Sequence, residues 1–375
     1  MHYLDNAATT RVLPEAAEAA VHAMCEGFGN PSSLHKMGIE ASHLLEDSRK
    51  TVASALGCLP EETYFTSCGT ESTNISLRGA AHLNRHKKGR IITTEIEHAA
   101  TLNTCKQLAA EGFDVVFLAP DETGHITPAA LEEALTADTV LLSCQLVNNE
   151  IGTVQPVAEL GALLKAKAPG ALFHIDAVQG LCRVRLTPKK WNCDLMSVSG
   201  HKIGAPKGIG ALYVKKGLRL PPLMFGGGQE KGMRPGTEPL PNIAAFAKAC
   251  AVRMAHFDED YAHVAELAAY LKEQAAVNLP DAACNGQGDV PHVVNLSIPG
   301  CKSEVMLRVL EGDEVYVSSG SACSKGKQSG VLRALGLPKA RTDSAIRVSF
   351  APFNTKEDVD AFIAAAKKGV KMLRR

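Results

Sequence analysis

Between Ser199 and Val214 the chain reads SGHKIGAPKGIGALYV, with Lys202 set between a histidine, His201, and a run of glycines that leads into a strand. A solvated lysine needs no such surroundings. A lysine held in an apolar site, or beside other cations, gives up its proton more readily and becomes a nucleophile toward a carbonyl. Upstream, Asp176 closes the apolar run LFHID. A carboxylate at the end of a buried strand is costly without a partner. A protonated ring nitrogen is one such partner, and a helix N-cap is the plainer use. Gln179 follows three residues later and can face the same ligand. Further upstream, Gly69-Thr70-Glu71-Ser72 follows a strand and opens a helix. Backbone N–H groups at such a terminus, with hydroxyls nearby, bind phosphate. The same residue types also make an ordinary cap.

Taken singly, each of these has a plain reading, and a lone lysine is most often solvated surface. Their combination is specific: a phosphate cup, a strand-end aspartate and a turn-held lysine, in that order, on one sheet. Pyridoxal 5'-phosphate needs those parts, a cup for its phosphate, a carboxylate for its pyridinium nitrogen and an amine for its aldehyde. A Walker loop is absent, since no GK[ST] follows the cup, and no GxGxxG follows a first strand, which disfavours a nicotinamide-binding protein. Cys323 stands apart from the other cysteines, most of which lie in apolar runs. It sits in SSGSACSKGKQSG, a Gly- and Ser-rich stretch whose composition favours mobility. Lys325 and Lys327 beside it favour the thiolate. The plainer reading is an incidental exposed thiol.

The elements that must position these residues follow from alternation. ETYFTS, RIITTEI, DVVFLAP, TVLLSCQLVN, ALFHIDA, LMSVSG and IGALYV read as strands, and helical patterns separate most of them. That order predicts an α/β fold with a mostly parallel sheet covered on both faces and ligands beyond the carboxyl ends of its strands. After about residue 245 a long helical stretch, IAAFAKACAVRMAHFDEDYAHVAELAAYLKEQAA, leads to HVVNLSIPG, another helix, VYVSSGSACS and IRVSFAP. This predicts a smaller α+β C-terminal domain, against which the first dozen residues pack. The expected division is a large domain over 13–250 and a small one formed by 1–12 and 251–375. Two domains also suit a chain of 375 residues.

The bulk numbers exclude more than they assign. Lys+Arg and Asp+Glu are both 40, and no basic arm stands out, so nucleic acid is not an expected ligand. No window approaches a membrane span, and the opening MHYLDNAATT lacks the apolar run of a signal peptide. The 11 cysteines are odd in number and form no CxxC pair, which predicts free thiols in a reducing cytoplasm rather than disulfides or a metal site.

The order of motifs resembles that of the cysteine desulfurases, the NifS/IscS-like branch of the class-V aminotransferases within fold-type-I pyridoxal-phosphate enzymes. YLDNAATT, GNPSSLH, FTSCGTESTN, EIEHAA, VNNEIGTVQP, HIDAVQ, SVSGHKIGAPKGIGALY, GGGQEKGMRPGTE, SSGSACS and IRVSF occur in family order from Tyr3 to Phe350. The resemblance implies a fold-type-I large domain with a sheet of the seven-stranded type. It implies Lys202 as the amine that joins the cofactor, Asp176 at the pyridine nitrogen, and Gln179 at the phenolic oxygen. His98, in EIEHAA, would stack on the ring and move protons. Gly69, Thr70, Ser199 and His201 would hold the phosphate. Thr237, in RPGTE, would reach the phosphate site of a neighbouring subunit, which implies a homodimer. Asn149 and Arg347 would grip the substrate carboxylate, a task that suits the arginine fork.

By the same resemblance, L-cysteine would yield L-alanine, with its sulfur left as a persulfide on Cys323. A sulfur-acceptor protein, either an iron–sulfur scaffold or a tRNA-thiolation enzyme, would then receive it. Three departures bear on that acceptor. Cys68 stands where many relatives have glycine, Lys231 where they have arginine, and the stretch after Cys323 and the C-terminal tail are shorter than in the housekeeping iron–sulfur branch. Two other readings compete. One is a selenocysteine or cystine lyase of the same fold, which has no need of Cys323. The other is a non-catalytic sulfur carrier with a decayed site.

Overall fold

The computed structural model describes residues 1–319 and 329–374. The chain begins with β1 (His2–Tyr3), α1 (Pro14–Cys25) and α2 (Lys36–Leu56). The alternating region follows as β2 (Thr63–Thr66), α3 (Gly69–Leu83), β3 (Arg90–Thr94), α4 (Ala99–Ala110), β4 (Asp114–Leu118), α5 (Pro128–Ala134), β5 (Thr139–Gln145), α6 (Val157–Lys167), β6 (Leu172–Asp176), β7 (Leu195–Ser199) and β8 (Gly210–Val214). The C-terminal part contains α7 (Leu240–Ala255), α8 (Phe257–Asn278), β9 (Ala283–Cys284), β10 (Val293–Ser297), α9 (Ser303–Gly312), β11 (Val315–Tyr316), α10 (Gly330–Ala334), α11 (Lys339–Thr342), β12 (Ala345–Ser349) and α12 (Lys356–Leu373).

Strands β2 to β8 form a seven-stranded sheet in the order β2-β8-β7-β6-β5-β3-β4. All its pairs are parallel except those of β8, which runs antiparallel to β7 and to β2. The sheet is therefore the mostly parallel α/β sheet that the alternation predicts. Every residue of β5, β7 and β8 is buried, which is why these strands read as unbroken apolar runs rather than alternating ones. Gln145, Asp176 and Ser199 are the last residues of β5, β6 and β7. Parallel pairing brings these three ends to one edge. Beneath that edge, His174 Nδ1 meets Ser143 Oγ and its Nε2 meets Ser197 Oγ, both at 2.9 Å, which knits β5, β6 and β7 together. Burial pushes this imidazole down to about 3, so it is neutral and purely structural.

A second sheet, β12-β10-β9, is antiparallel, and β1 pairs in parallel with β11. Leu4 shares a buried core with Leu271, Val348 and Phe362 of α8, β12 and α12. The larger core joins Leu56, Phe173, Met196 and Phe246. From β1 the chain crosses to the strand ends, where Thr10 Oγ1 donates to the carbonyl of His201 at 2.9 Å.

The long helical stretch expected after residue 245 is two helices. His256 leaves helical geometry (φ −108°, ψ 18°) between α7 and α8. The periodicity is continuous across the break, but the charge is not. Asp258, Glu259 and Asp260 crowd the first turn of α8, where the helix dipole favours anions. Arg185 fixes that turn by donating to both Asp258 oxygens (2.8 and 2.9 Å) and lying 4.4 Å over the Phe257 ring. In the segment VYVSSGSACS, whose last five residues lie outside the described ones, β11 spans Val315–Tyr316 and Ser318 adds one bridge to Arg347.

Candidate active site

One cavity of about 300 Å³ opens at the carboxyl edge of the large sheet. Gly69, Thr70, His98, Asn149, Asp176, Gln179, Ser199, His201, Lys202 and Arg347 all line it. Residues that sequence reading drew from separate motifs thus meet in one place. Cys68 lines it too, so this departure from the family pattern faces the site rather than the core.

Lys202 ends a short 3-10 turn, Gly200–Lys202, directly after β7. Its Nζ donates to the carbonyls of Ala7 and Ala8, each at 2.7 Å. Burial, helped by Arg347 and Arg183 and opposed by Asp5 and Asp176, brings its pKa down to about 7. A large fraction of this amine is therefore unprotonated and nucleophilic near neutral pH. Next to it, His201 is pushed down to about 4, first by burial and then by Lys202 and Lys207. Gly204, just past the turn, has φ +95°, a left-handed conformation that lets the chain leave the lysine and return as β8.

Asp176 performs its plain task with one oxygen, since Oδ1 accepts from the Val178 N–H at 3.0 Å. Burial raises its pKa, opposed by His98, the Val178 bond and Lys202. A cationic ring nitrogen against this carboxylate would relieve that cost. His98 is the N-cap of α4, where its Nδ1 accepts from the Ala100 N–H at 3.1 Å, an interaction that fixes the ring at the cavity wall. Gln179 accepts from Arg183 Nη1 with its Oε1 and donates from Nε2 to Ala7 O at 2.9 Å. That amide retains a second N–H for a ligand.

At the other end, α3 starts after Cys68 with no side-chain cap. Its first-turn N–H groups border the cavity through Gly69 and Thr70. A Cβ on Gly69 would come within 2.7 Å of Val178 Cγ2, so only glycine allows this approach. Ser199 Oγ is buried without a hydrogen-bond partner. An orphaned hydroxyl beside an uncapped helix start is the donor set of a phosphate site. The residues present thus fit pyridoxal 5'-phosphate, with Gly69, Thr70, Ser199 and His201 at its phosphate, Asp176 at its ring nitrogen and Lys202 at its aldehyde. A depressed lysine makes one prediction. The rate at which apoprotein takes up the cofactor, followed by visible absorption, should rise with pH through a midpoint near 7 rather than near the ordinary lysine value of 10.5.

Arg347 crosses from β12 into the same cavity with only 2% of its side chain exposed. Nη1 donates to the Asn149 carbonyl at 2.9 Å and Nη2 to Asp5 Oδ1 at 2.8 Å. Its Nε is buried without a partner. Its ion pair with Asp5 is therefore a buried one rather than a surface one.

Five contributors escaped assignment from sequence. Asp5, Ala7 and Ala8 lie inside the quoted YLDNAATT, but nothing in that string shows that it crosses to the lysine. Glu97 is buried, and its Oε1 accepts from Thr94 Oγ1 (2.9 Å) and Gln145 N (2.8 Å), which ties β3 to β5 beside His98. Arg183 carries no sequence signal at all. Thr237 is exposed and is not part of the cavity lining. Lys231, the other departure, donates to the Glu61 carbonyl at 2.7 Å and lies over the Tyr64 ring, away from the cavity. Cys323, Lys325 and Lys327 lie outside the described residues.

A sheet of this order, with lysine, strand-end carboxylate and phosphate cup around one cavity, defines a pyridoxal-phosphate enzyme of fold type I. The class-V aminotransferase profile matches residues 2–362, and the chain belongs to that family, in its cysteine desulfurase branch. A relative named cysteine desulfurase IscS, from Methanosarcina thermophila, is 40% identical over 99% of this chain and 92% of its own length. The solved structure of a NifS-like protein matches with a TM-score of 0.93 at 36% identity, covering 99% of each chain. That of SspA in complex with cysteine matches with a TM-score of 0.84 at 34% identity, covering 95% of this chain and all of that one. Among the described residues, no helix is long and apolar enough to cross a membrane.

Proposed function

We propose that the protein is a pyridoxal-phosphate-dependent cysteine desulfurase that converts L-cysteine to L-alanine and carries the sulfur as a persulfide on Cys323. The observation that carries this reading is one cavity that joins a depressed lysine, a strand-end aspartate and a buried arginine with a free Nε. The desulfurase names of its relatives, and the cysteine bound to SspA, support L-cysteine as substrate.

When bound, the cofactor supplies an electrophilic aldehyde and a sink for charge at the substrate Cα. Lys202 holds it and, as a free amine, carries the proton of that carbon. Asp176 stabilises positive charge at the ring nitrogen. His98 packs against the ring and takes part in proton movement. Gln179 donates to the phenolic oxygen. Arg347 and Asn149 orient the substrate carboxylate. The Cys323 thiolate forms an S–S bond to the substrate sulfur while the C–S bond breaks. The electron pair of the broken bond stays on carbon, which takes up protons and leaves as alanine.

Thr237 completes the phosphate site of a second copy in a homodimer, in keeping with its exposure outside its own cavity. The division into 13–250 and the pair 1–12 and 251–375 is supported by the separate core around Leu4, Leu271, Val348 and Phe362 and by the pairing of β1 with β11, while Val290 in the large core and a cluster joining Ile96 and Ile151 to Val331 and Leu332 bridge the two parts. The sulfur passes in the cytoplasm to an iron–sulfur scaffold or a tRNA-thiolation enzyme. Intact-protein mass after brief exposure to L-cysteine without reductant tests the reading. The expected result is one added sulfur on Cys323, absent in Cys323→Ala. A Cys323→Ala variant that still produces alanine at the wild-type rate would replace this reading with a selenocysteine or cystine lyase.

A further inference from the structure

Behind the lysine turn lies a second, small crevice lined by Thr10, Arg183, Lys202, Arg253, Asp260 and His292. It is the back of the active-site turn, because its residues hold three successive carbonyls there. Thr10 Oγ1 donates to His201 O at 2.9 Å, Arg183 Nη2 to Lys202 O at 3.2 Å and Arg253 Nε to Ile203 O at 3.2 Å. Two features are unusual. The buried Arg183 spends its hydrogen bonds on neutral acceptors, Gln179 Oε1 and the Lys202 carbonyl, rather than on a carboxylate. His292 is buried, and its Nδ1 has no hydrogen-bond partner. A buried guanidinium without an anion is costly, and a buried ring nitrogen without a partner signals a missing ligand.

We propose that this crevice binds one small monovalent inorganic anion, such as chloride, between Arg183, Arg253 and His292. The space, about 20 Å³, admits a single particle near the size of a water molecule, which excludes phosphate and organic acids. The local charge is positive. Asp260 pairs with Arg253 at 3.1 Å, so the charge of Arg183 is left over. Burial, and after it Arg183 and Arg253, hold the His292 pKa well below its usual value, so the ring stays neutral and carries one N–H.

The site bears on the lysine. Arg347 and Arg183 lower the affinity of Lys202 for its proton, while Asp5 and Asp176 raise it. An anion beside Arg183 offsets the first pair, so it should raise the pH at which Lys202 titrates. This second consequence rests on Lys202 being the cofactor lysine; occupancy of the crevice does not.

Crystals of the holoenzyme grown or soaked in bromide test occupancy directly. The expected result is an anomalous peak within hydrogen-bond distance of Arg183 and His292. Ordinary water density with no anomalous signal there would overturn the proposal. In solution, the pH midpoint of the cofactor's visible absorption should lie higher in chloride than in gluconate at equal ionic strength, since gluconate is too large to enter. His292→Phe keeps the aromatic packing against Tyr261 and should abolish the difference. An equal shift in wild type and variant would mean general screening and defeat the proposal. If the absorption band does not depend on Lys202 at all, it is the reading of the main site that fails, and bromide still decides the crevice.

Discussion

Lys202→Ala should leave a folded protein with cofactor that washes away, no visible absorption from a lysine-bound aldehyde, and turnover reduced by about 10⁴-fold or more. The lysine holds the cofactor and moves the substrate proton, so no neighbour replaces it. His201, next in the chain, sits at a pKa of about 4 and faces Thr9 Oγ1 at 3.1 Å. The same substitution has a second, independent readout in apoprotein stability. The folded lysine titrates near 7 and the unfolded one near 10.5. Between those values Lys202 binds more protons in the unfolded chain than in the folded one, so this residue adds a rise in stability through the window. The rise is read as the wild-type melts minus those of the variant, because Glu97 and the buried cysteines titrate with the opposite sign in both. Below it both forms are protonated, and the full cost of burying the charge is present. Lys202→Ala lacks the titrating group and should lack the rise. Denaturant melts at several pH values between 6 and 10 measure this without any cofactor. Near-normal turnover in the variant would remove Lys202 from the chemistry.

The large sheet was legible in sequence because most of its strands are largely buried, largely apolar runs set off by turn residues and helical periodicity, and the central β5, β6 and β7 end on the polar Gln145, Asp176 and Ser199. Asp176 and Lys202 could be placed at the strand ends from that pattern alone. The division of the long C-terminal helix was not legible from periodicity, because both halves bury the same kind of face. The break lies in the acidic first turn of α8 and its Arg185 partner, a contact from another part of the chain. The site was legible to the extent that its groups sit in local motifs. Its electrostatics were not. The depression of Lys202 comes from burial and from Arg347 and Arg183, which are distant in sequence and carry no motif that joins them. Asp5 shows the same limit. Its carboxylate reaches Arg347 across 342 positions, which only the crossing of the N-terminal segment makes possible.

That ion pair sets up a second large effect, because Arg347 has two possible employments. It can serve Asp5 alone, or it can be held by Asp5 and the Asn149 carbonyl so that its remaining donors meet a substrate carboxylate. Arg347→Lys separates them. Lysine keeps the charge and can still pair with Asp5, but it loses the fork that binds a carboxylate through two N–H groups. Two charge-assisted hydrogen bonds lost in a buried site correspond to about 3–4 kcal/mol, or about 10²–10³-fold in kcat/KM for L-cysteine. Cofactor absorption should be unchanged, since the cup and Lys202 are intact. Cysteamine, which is L-cysteine without its carboxylate, supplies the control. If Arg347 grips the substrate, wild type should process cysteamine poorly and Arg347→Lys should process it no worse than wild type does. An equal loss on both substrates would mean that Arg347 only supports the N-terminal segment through Asp5. The buried, unpartnered Nε argues for the first outcome, because a purely structural arginine at 2% exposure would be expected to have that donor satisfied.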